Sequence, residues 1–413
     1  MSSSHAEPWF TYSLENQKRP DSAVVMGAGI AGCQTAWHLA RSGIHVTLLE
    51  RHHKIATEGS GNVAAVICPK LTATPSLGDS FYQQCFRYSL EQFQQLNLSQ
   101  PIWNQCGVLQ LMHQVRDQQR WQKLAKRGLS ETLMRCVTAK QASDIAHTNI
   151  HHRALWFPEA GWIKPEQYCQ ALLNHSNIEV HTDTEALSFK KSQQQWLVTS
   201  KEQQFQADIL VIASGKNLGF AKIAFLEYIG VHGQTSIADA QKNTSVLRCV
   251  IDHEGYITPP DGNHQQLFGS SYDRDTWDLT FSEEKNQENL AKQQRHLPEI
   301  AQSLGNLRSS HSAVRITSPD RLPYVGAVPD TVFYEENYRD LHHGKHWKQY
   351  PSAQYLNGLY INTAYASRGL TTAALCARHL NSIICGIPSP FDSPLANALH
   401  PARFLIKGFR KPH

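Results

Sequence analysis

The sequence predicts a doubly wound α/β domain into which an α+β domain of mixed sheet and helices is inserted, and three stretches carry that prediction. The first, "AVVMGAGIAGCQTAWHLARSGIHVTLLER" at 23–51, runs apolar, glycine-rich, helix-periodic and apolar again, the order strand, turn, helix, strand. The second, "ADILVIASGKN" at 207–217, is an apolar strand that stops at Ser214-Gly215. The third, "NGLYINTAYASRGLTTAALCARHLNSIICG" at 357–386, reads as a strand, a small-residue turn and an amphipathic helix.

In the first stretch Gly27, Gly29 and Gly32 stand in G-x-G-x-x-G spacing around Ala28, Ile30 and Ala31. The first glycine permits a tight bend, the second lets backbone approach a pyrophosphate, and the third lets helix pack against strand. A phosphate then sits on the helix N-terminus. Glu50, followed by Arg51, closes the second strand roughly 20 residues on, where a carboxylate accepts from ribose hydroxyls. A glycine turn that binds nothing is the plain alternative, and the flanking strand, helix and acid argue against it. The turn by itself does not separate NAD from FAD.

The second and third stretches extend the same crevice. Ligands of doubly wound sheets lie at the carboxyl ends of strands, so Ser214-Gly215 is either a border of the dinucleotide or an ordinary strand end. The turn at 366–369 aims a second helix N-terminus at the same place, where it would stabilise negative charge on a bound cofactor.

At 413 residues the chain is too long for one ordinary core, and 41% hydrophobic with 18% charged residues is the composition of a folded enzyme. The expected division is a linker-like tail at 1–20, a dinucleotide domain from 21–78, 160–225 and 315–413, and a substrate domain from 79–159 and 226–314. A net charge of +4 permits a polyanionic partner without demanding one. No apolar run approaches membrane-spanning length, and a soluble cytoplasmic protein is expected. The nine cysteines form no C-x-x-C pair, so neither a metal site nor a disulfide framework is expected from them. Helical periodicity also covers 80–96, 114–126 and 164–174, the last with Pro165 in its first turn. Short apolar runs mark strands at 195–199, 209–213, 247–251, 266–269 and 359–362.

The glycine turn, the Ser214-Gly215 strand end and the D-x-L-P-x-V-G segment at 320–326 occur in an order that resembles the D-amino-acid-oxidase-like family of FAD enzymes, which includes glycine and sarcosine oxidases. The resemblance implies a Rossmann-like FAD-binding domain and selects FAD over NAD. Five further stretches resemble the oxidoreductase half of bifunctional enzymes that modify the tRNA wobble uridine: "EGSGNVAAVICPKL" at 58–71, "VHGQTS" at 231–236, "GYITPPDGNHQQLFGSSYD" at 255–273, "TSPDRLPYVGAVPD" at 317–330 and "SRGLTTAALCA" at 367–377. The tail "NALHPARFLIKGFRK" at 397–411 is also similar, and "EPWF" at 7–10 looks like the end of the linker from an S-adenosylmethionine-dependent methyltransferase half. An oxidoreductase standing by itself and one excised from such a protein are both compatible with this.

The resemblance implies FAD-dependent removal of the carboxymethyl group of 5-carboxymethylaminomethyl-2-thiouridine as glyoxylate, leaving the 5-aminomethyl base in tRNA. Arg315 is expected to hold the substrate carboxylate, with Arg368 second, because a guanidinium offers two parallel donors. Structural ion pairs are the alternative for both. Tyr256 and Tyr272 are expected to line the pocket or stack a base, unless they are core tyrosines. Around the cofactor the resemblance places Gly27, Ala28, Gly29, Ile30, Ala31, Gly32, Glu50 and Arg51, with Ser60, Gly61, Asn62, Ser214, Gly215, Ser367, Arg368, Gly369 and Leu370. Two departures stand out. Thr363 and Ala366 occupy positions where glycines are expected, and 313–320 lacks the cysteine that anchors flavin in sarcosine oxidases, so FAD is expected to be non-covalent. For tRNA, "KGFRK" at 407–411 and "RWQKLAKR" at 120–127 offer positive charge near aromatics, or are merely solvated helix faces. Two rivals stay open: an oxidase of free glycine- or sarcosine-like amines, and a catalytically silent FAD-binding partner of a separate methyltransferase.

Overall fold

The computed structural model describes residues 7–12, 18–241, 244–344 and 348–411. Ser22–Met26 lies inside a six-stranded sheet ordered Tyr324–Pro329, Tyr355–Thr363, Ile209–Ile212, Ser22–Met26, His45–Leu49, Ile178–His181. Every neighbouring pair is parallel except the first. Because side chains alternate along a strand, Ala23 and Val25 pack with the helices on one face. Val24 and Met26 pack on the other with the antiparallel meander Ser188–Ser192, Gln195–Thr199, Gln204–Ala207. On the helical face, Ile30–Arg41 contacts Pro165–Leu173 and Gly369–Cys385, and Leu77–Gln95 lies along Gly369–Cys385. From Ser22–Met26 the chain passes to His45–Leu49 on one side, while Ile209–Ile212 lies on the other. That arrangement opens a crevice at the carboxyl ends of the strands.

The second large sheet has nine strands, and its spine is the antiparallel pair Ile229–Asp239 and Leu307–Thr317, with Val231 opposite Arg315 and Gly233 opposite Ala313. Sequence periodicity does not predict this pair, nor the helix Glu283–His296 that lies on it, because amides rather than aliphatics form the contact. Asn286 Oδ1 accepts from Gln234 Nε2 at 3.0 Å, Ser236 Oγ at 2.7 Å and Ser310 Oγ at 2.8 Å. Asn289 Nδ2 donates to the Gln234 carbonyl at 3.0 Å. The helix therefore repeats Asn286, Asn289, Gln293 and His296 on its buried face with helical spacing, but with polar residues.

Elsewhere the expected elements are present, Gln195–Thr199 with the expected ends and the others with shifted ones: Leu77–Gln95, Val115–Ala125 and Pro165–Leu173 as helices, Ile209–Ile212, Gln265–Gly269 and Tyr355–Thr363 as strands. The strand expected at 247–251 is Val250–Asp252. The segment from Glu7 to Tyr12 is docked: Tyr334 donates to the Trp9 carbonyl at 2.6 Å, and Tyr12 stacks on Tyr355 at 4.9 Å. In the D-x-L-P-x-V-G segment Asp320 accepts from Arg403 Nε at 2.9 Å and Nη2 at 3.0 Å, while the Arg403 guanidinium lies 4.1 Å from the Tyr324 ring. That segment anchors the C-terminal helix Arg403–Phe409. No helix among the described residues is long and apolar enough to cross a membrane.

Candidate active site

The crevice widens into a cleft of about 500 Å³ that runs from the glycine turn to the spine of the second sheet. At the turn, each glycine has a separate steric reason. Gly27 has φ +99°, and a Cβ there would lie 2.7 Å from the Ala213 carbonyl oxygen. A Cβ on Gly32 would lie 1.7 Å from the Gly27 carbonyl oxygen, so only hydrogen lets the helix start this close to the turn. A Cβ on Gly29 would meet only Ser60 Oγ at 3.4 Å, which leaves the space beside it free for a ligand. The first turn of Ile30–Arg41 carries no acidic side chain, and Ser60 Oγ accepts from the Ile30 N–H at 3.0 Å. This is the electrostatics of an anion site.

Glu50, nearly buried, accepts from the Ala28 N–H at 2.9 Å and the His52 N–H at 3.0 Å, which fixes its carboxylate at the strand end. Beside it Arg51 pairs with Glu58, which His52 and Lys216 also approach, at 3.1 and 3.6 Å. Burial pushes the Glu58 carboxyl up, but hydrogen bonds from His52 and Arg51 outweigh it and hold the group below the usual carboxylate range. Ser214 Oγ donates to the Asn217 carbonyl at 2.6 Å, and Gly215 follows with φ +57°.

The far end of the cleft is cationic and phenolic. Arg315 is half-buried and donates to Ser367 Oγ at 3.0 Å; among the described residues no carboxylate lies within ion-pair distance of it. A Cβ on Gly233, across the spine, would fall 1.8 Å from Arg315 Nη2, so that glycine makes room for the guanidinium. Burial pushes the Tyr256 hydroxyl up to about 12, against Arg315, which lowers it, and with Asp252, which raises it further; it therefore stays protonated. Burial likewise raises the Asp252 carboxyl, while Arg368, Gln110, Arg120 and His113 oppose the shift. Arg368 donates to the Cys68 carbonyl at 2.9 Å and precedes the helix Gly369–Cys385. Tyr272, 57% exposed, forms the rim.

Of the residues expected from the sequence, Gly27, Gly29, Ile30, Ala31, Glu50, Arg51, Ser60, Asn62, Ser214, Gly215, Tyr256, Tyr272, Arg315, Ser367, Arg368, Gly369 and Leu370 line this one cleft. Ala28, Gly32 and Gly61 lie outside the lining and act behind it: Ala28 through its N–H on Glu50, Gly32 and Gly61 through close backbone contacts. Asp252 and Gln110 line the cleft without having been anticipated. A lone acid at the end of the apolar run "CVID" was the available signal for Asp252. The turn expected to depart from glycine does so with strain, since Ala364 and Ala366 take φ +65° and +53°. The basic stretch at 120–127 is partly spent inward. Arg120 donates to Gln110 and to the Leu71 carbonyl, both at 2.9 Å, and Arg127 forms a two-pronged pair with Asp79 at 3.0 and 2.7 Å.

A βαβ unit with a bare helix N-terminus, a strand-end carboxylate and a polar far chamber defines a dinucleotide-dependent oxidoreductase. The model of the FAD dependent oxidoreductase family (DAO) matches residues 22–383, and the chain belongs to that family. It is 35% identical over 416 residues to the tRNA 5-methylaminomethyl-2-thiouridine biosynthesis bifunctional protein MnmC of Pseudomonas putida, covering 97% of this chain. The chain spans 62% of that relative's length. Among solved structures, glycine oxidase from Geobacillus kaustophilus superposes with a TM-score of 0.72 at 18% identity, over 91% of this chain and 97% of that one. L-proline dehydrogenase from P. horikoshii gives 0.72 at 18% identity, over 94% and 99%. The turn fits the FAD on which this family depends, since the steric space beside Gly29 and the acid-free helix start are what a pyrophosphate requires.

Proposed function

We propose that this protein oxidises the carboxymethylaminomethyl side chain of the tRNA wobble uridine, 5-carboxymethylaminomethyl-2-thiouridine, releasing glyoxylate and leaving the 5-aminomethyl base. The observation that carries the reading is Arg315: a half-buried guanidinium in the cleft, without a carboxylate partner among the described residues, suited to the carboxylate of an N-substituted glycine. Its support from relatives is the 35% identity to a tRNA 5-methylaminomethyl-2-thiouridine biosynthesis protein across nearly the whole chain.

Bound FAD supplies the two-electron acceptor for the methylene between amine and carboxylate. Gly27, Gly29 and the N-terminus of Ile30–Arg41 hold its pyrophosphate, and Glu50 its ribose. Ser367 to Leu370, which line the same cleft, would offer their backbone to its ring system. Cys68, the cysteine of the cleft lining, has a thiol that burial pushes well up, in keeping with non-covalent FAD. Arg315 clamps the substrate carboxylate and Arg368 sits beside it. Tyr256 keeps its proton as a donor, and Asp252 accepts from the secondary amine. Once the C–N bond is an imine, water adds to its carbon, and the C–N bond breaks to give glyoxylate and the primary amine.

The rim supplies a reason to favour a polynucleotide over a free amino acid. Tyr272 lines the cleft and is 57% exposed, and Trp277 and Phe281, 47% and 55% exposed, follow it on the same segment; exposed aromatic faces are ones on which unpaired bases stack. A separate methyltransferase acting on the product, or fused to this chain, fits the same reading, and so does a cytoplasmic location. The test is to incubate the flavoprotein with tRNA bearing the carboxymethylated base, digest to nucleosides and assay glyoxylate. Conversion to the aminomethyl nucleoside with equimolar glyoxylate is expected. Unchanged nucleoside alongside turnover of glycine or sarcosine would replace the reading with a free amine oxidase.

A further inference from the structure

Behind the wall of the cleft, four imidazoles gather from separated parts of the chain. The His296 ring lies 4.5 Å from that of His113, 4.9 Å from His253 and 6.0 Å from His152, measured between centroids. The ligand atoms of His113, Glu254 and His296 lie within 4.8 Å of one another. His296 is 6% exposed, and among the described residues neither of its ring nitrogens has a hydrogen-bond partner; its Nε2 faces Glu254 Oε2 at 3.7 Å. Leaving both nitrogens of a buried imidazole unused costs free energy that a ligand would recover.

The surroundings divide the four histidines by role. His253 is fully engaged, with Nε2 on Gln293 at 3.0 Å and Nδ1 accepting from the Gly255 N–H at 3.2 Å, so it forms a wall. His113 has Nδ1 3.4 Å from the Leu111 carbonyl, which as a donor leaves Nε2 with its lone pair outward. Only the Gln114 amide, at 3.3 Å, touches that Nε2. Glu254 is at the surface and shares its carboxylate with Arg295. His152, whose ring centroid lies 6.5 Å from that of His113, has no ring-nitrogen hydrogen bond among the described residues and stands outside the three-residue group.

We propose that His113, Glu254 and His296 form a binding site for a borderline divalent transition metal, Zn²⁺, that clips the Glu254 turn to the end of helix Glu283–His296. Two imidazoles and a carboxylate are a zinc donor set. Tetrahedral ligand atoms at zinc distances stand about 3.3 Å apart, so closure from the present spacing needs side-chain movement on the order of an ångström. The three ligands come from the end of the Val108–Leu111 strand, the turn after Val250–Asp252 and the last residue of a helix, elements that no sequence spacing connects. Since His253 and Glu254 also line the cleft, the metal would stiffen the wall that carries Asp252. This role is structural and does not depend on the substrate assigned above.

The experiment uses the flavin-loaded protein, purified without a histidine tag, stripped with a chelator and titrated with ZnCl₂ by calorimetry, with metal content read by mass spectrometry. Equimolar uptake and a raised melting temperature are expected. His113→Ala and His296→Ala should each weaken binding by at least the roughly 10–100-fold that loss of a mere outer-shell partner costs, while His253→Ala should bind as the wild type does. Should the buried His296 variant fail to fold, the more exposed His113 variant decides, with flavin absorbance confirming its fold. No uptake by the wild type, or equal uptake by the His113 variant, overturns the proposal.

Discussion

Helix Ile30–Arg41 and helix Glu283–His296 each lie on a sheet beside the cleft, yet they are held by different forces. The first buries Ala36, Leu39 and Ala40 against a core that includes Ala23 and Val25. The second buries Asn286 and Asn289 against Gln234 and Ser236, and Gln293 against His253 and the Tyr256 carbonyl. Aliphatic contact is non-directional and tolerates small shifts, whereas an amide network is satisfied only in one register and is costly when a partner is lost. The cofactor end is thus fixed by shape at the glycines, and the substrate end by hydrogen-bond geometry.

The comparison can be broken most severely at Gly32. A methyl there meets a carbonyl oxygen at 1.7 Å, and Gly32→Ala should cost more than about 3 kcal/mol and yield protein without flavin, read as the ratio of visible to ultraviolet absorbance. At the other end, Asn286→Ala removes the shared acceptor of Gln234, Ser236 and Ser310, and a loss of about 2–4 kcal/mol in denaturant unfolding is expected. Flavin content should survive that change, since the network does not reach the glycine turn. Trp277→Ala should raise KM for tRNA roughly tenfold through lost base stacking while leaving turnover of a small amine unaltered, measured by steady-state kinetics on both. The smallest effect is expected at the strained turn. Ala366→Gly relieves a left-handed alanine and should raise stability by less than about 1 kcal/mol in a melting experiment.

This contrast also explains what could be read before the structure. The cofactor end is local: three glycines and an acid within one βαβ unit, where spacing alone implies Gly32 against Gly27 and Glu50 at the strand end. The substrate end is not local. Ile229–Asp239 carries glycines and polar residues in a buried strand, and Glu283–His296 has helical periodicity only if asparagine and glutamine count as core residues. Arg315 was reachable by resemblance, but its availability for a carboxylate depends on Gly233 across the spine and on no acid among the described residues pairing with it. Conversely, Arg120 and Arg127 read as part of a cationic face but turn inward, Arg120 to the loop carbonyl of Leu71 and Arg127, just past the helix, to the buried Asp79. Charge counts along a helix do not reveal which arginines already have a partner.

The central claim is that the cleft takes a tRNA-borne N-substituted glycine, with Arg315 holding its carboxylate. The most direct measurement is anaerobic reduction of the bound flavin, followed by visible absorbance, with carboxymethylaminomethyl-uridine tRNA, glycine and sarcosine in parallel, on the wild type and Arg315→Ala. Rapid bleaching by the tRNA alone, slowed roughly 100-fold or more in the variant, is the expected result. Bleaching by the small amines and not by tRNA, or tRNA-driven bleaching at the same rate in the variant, would contradict it.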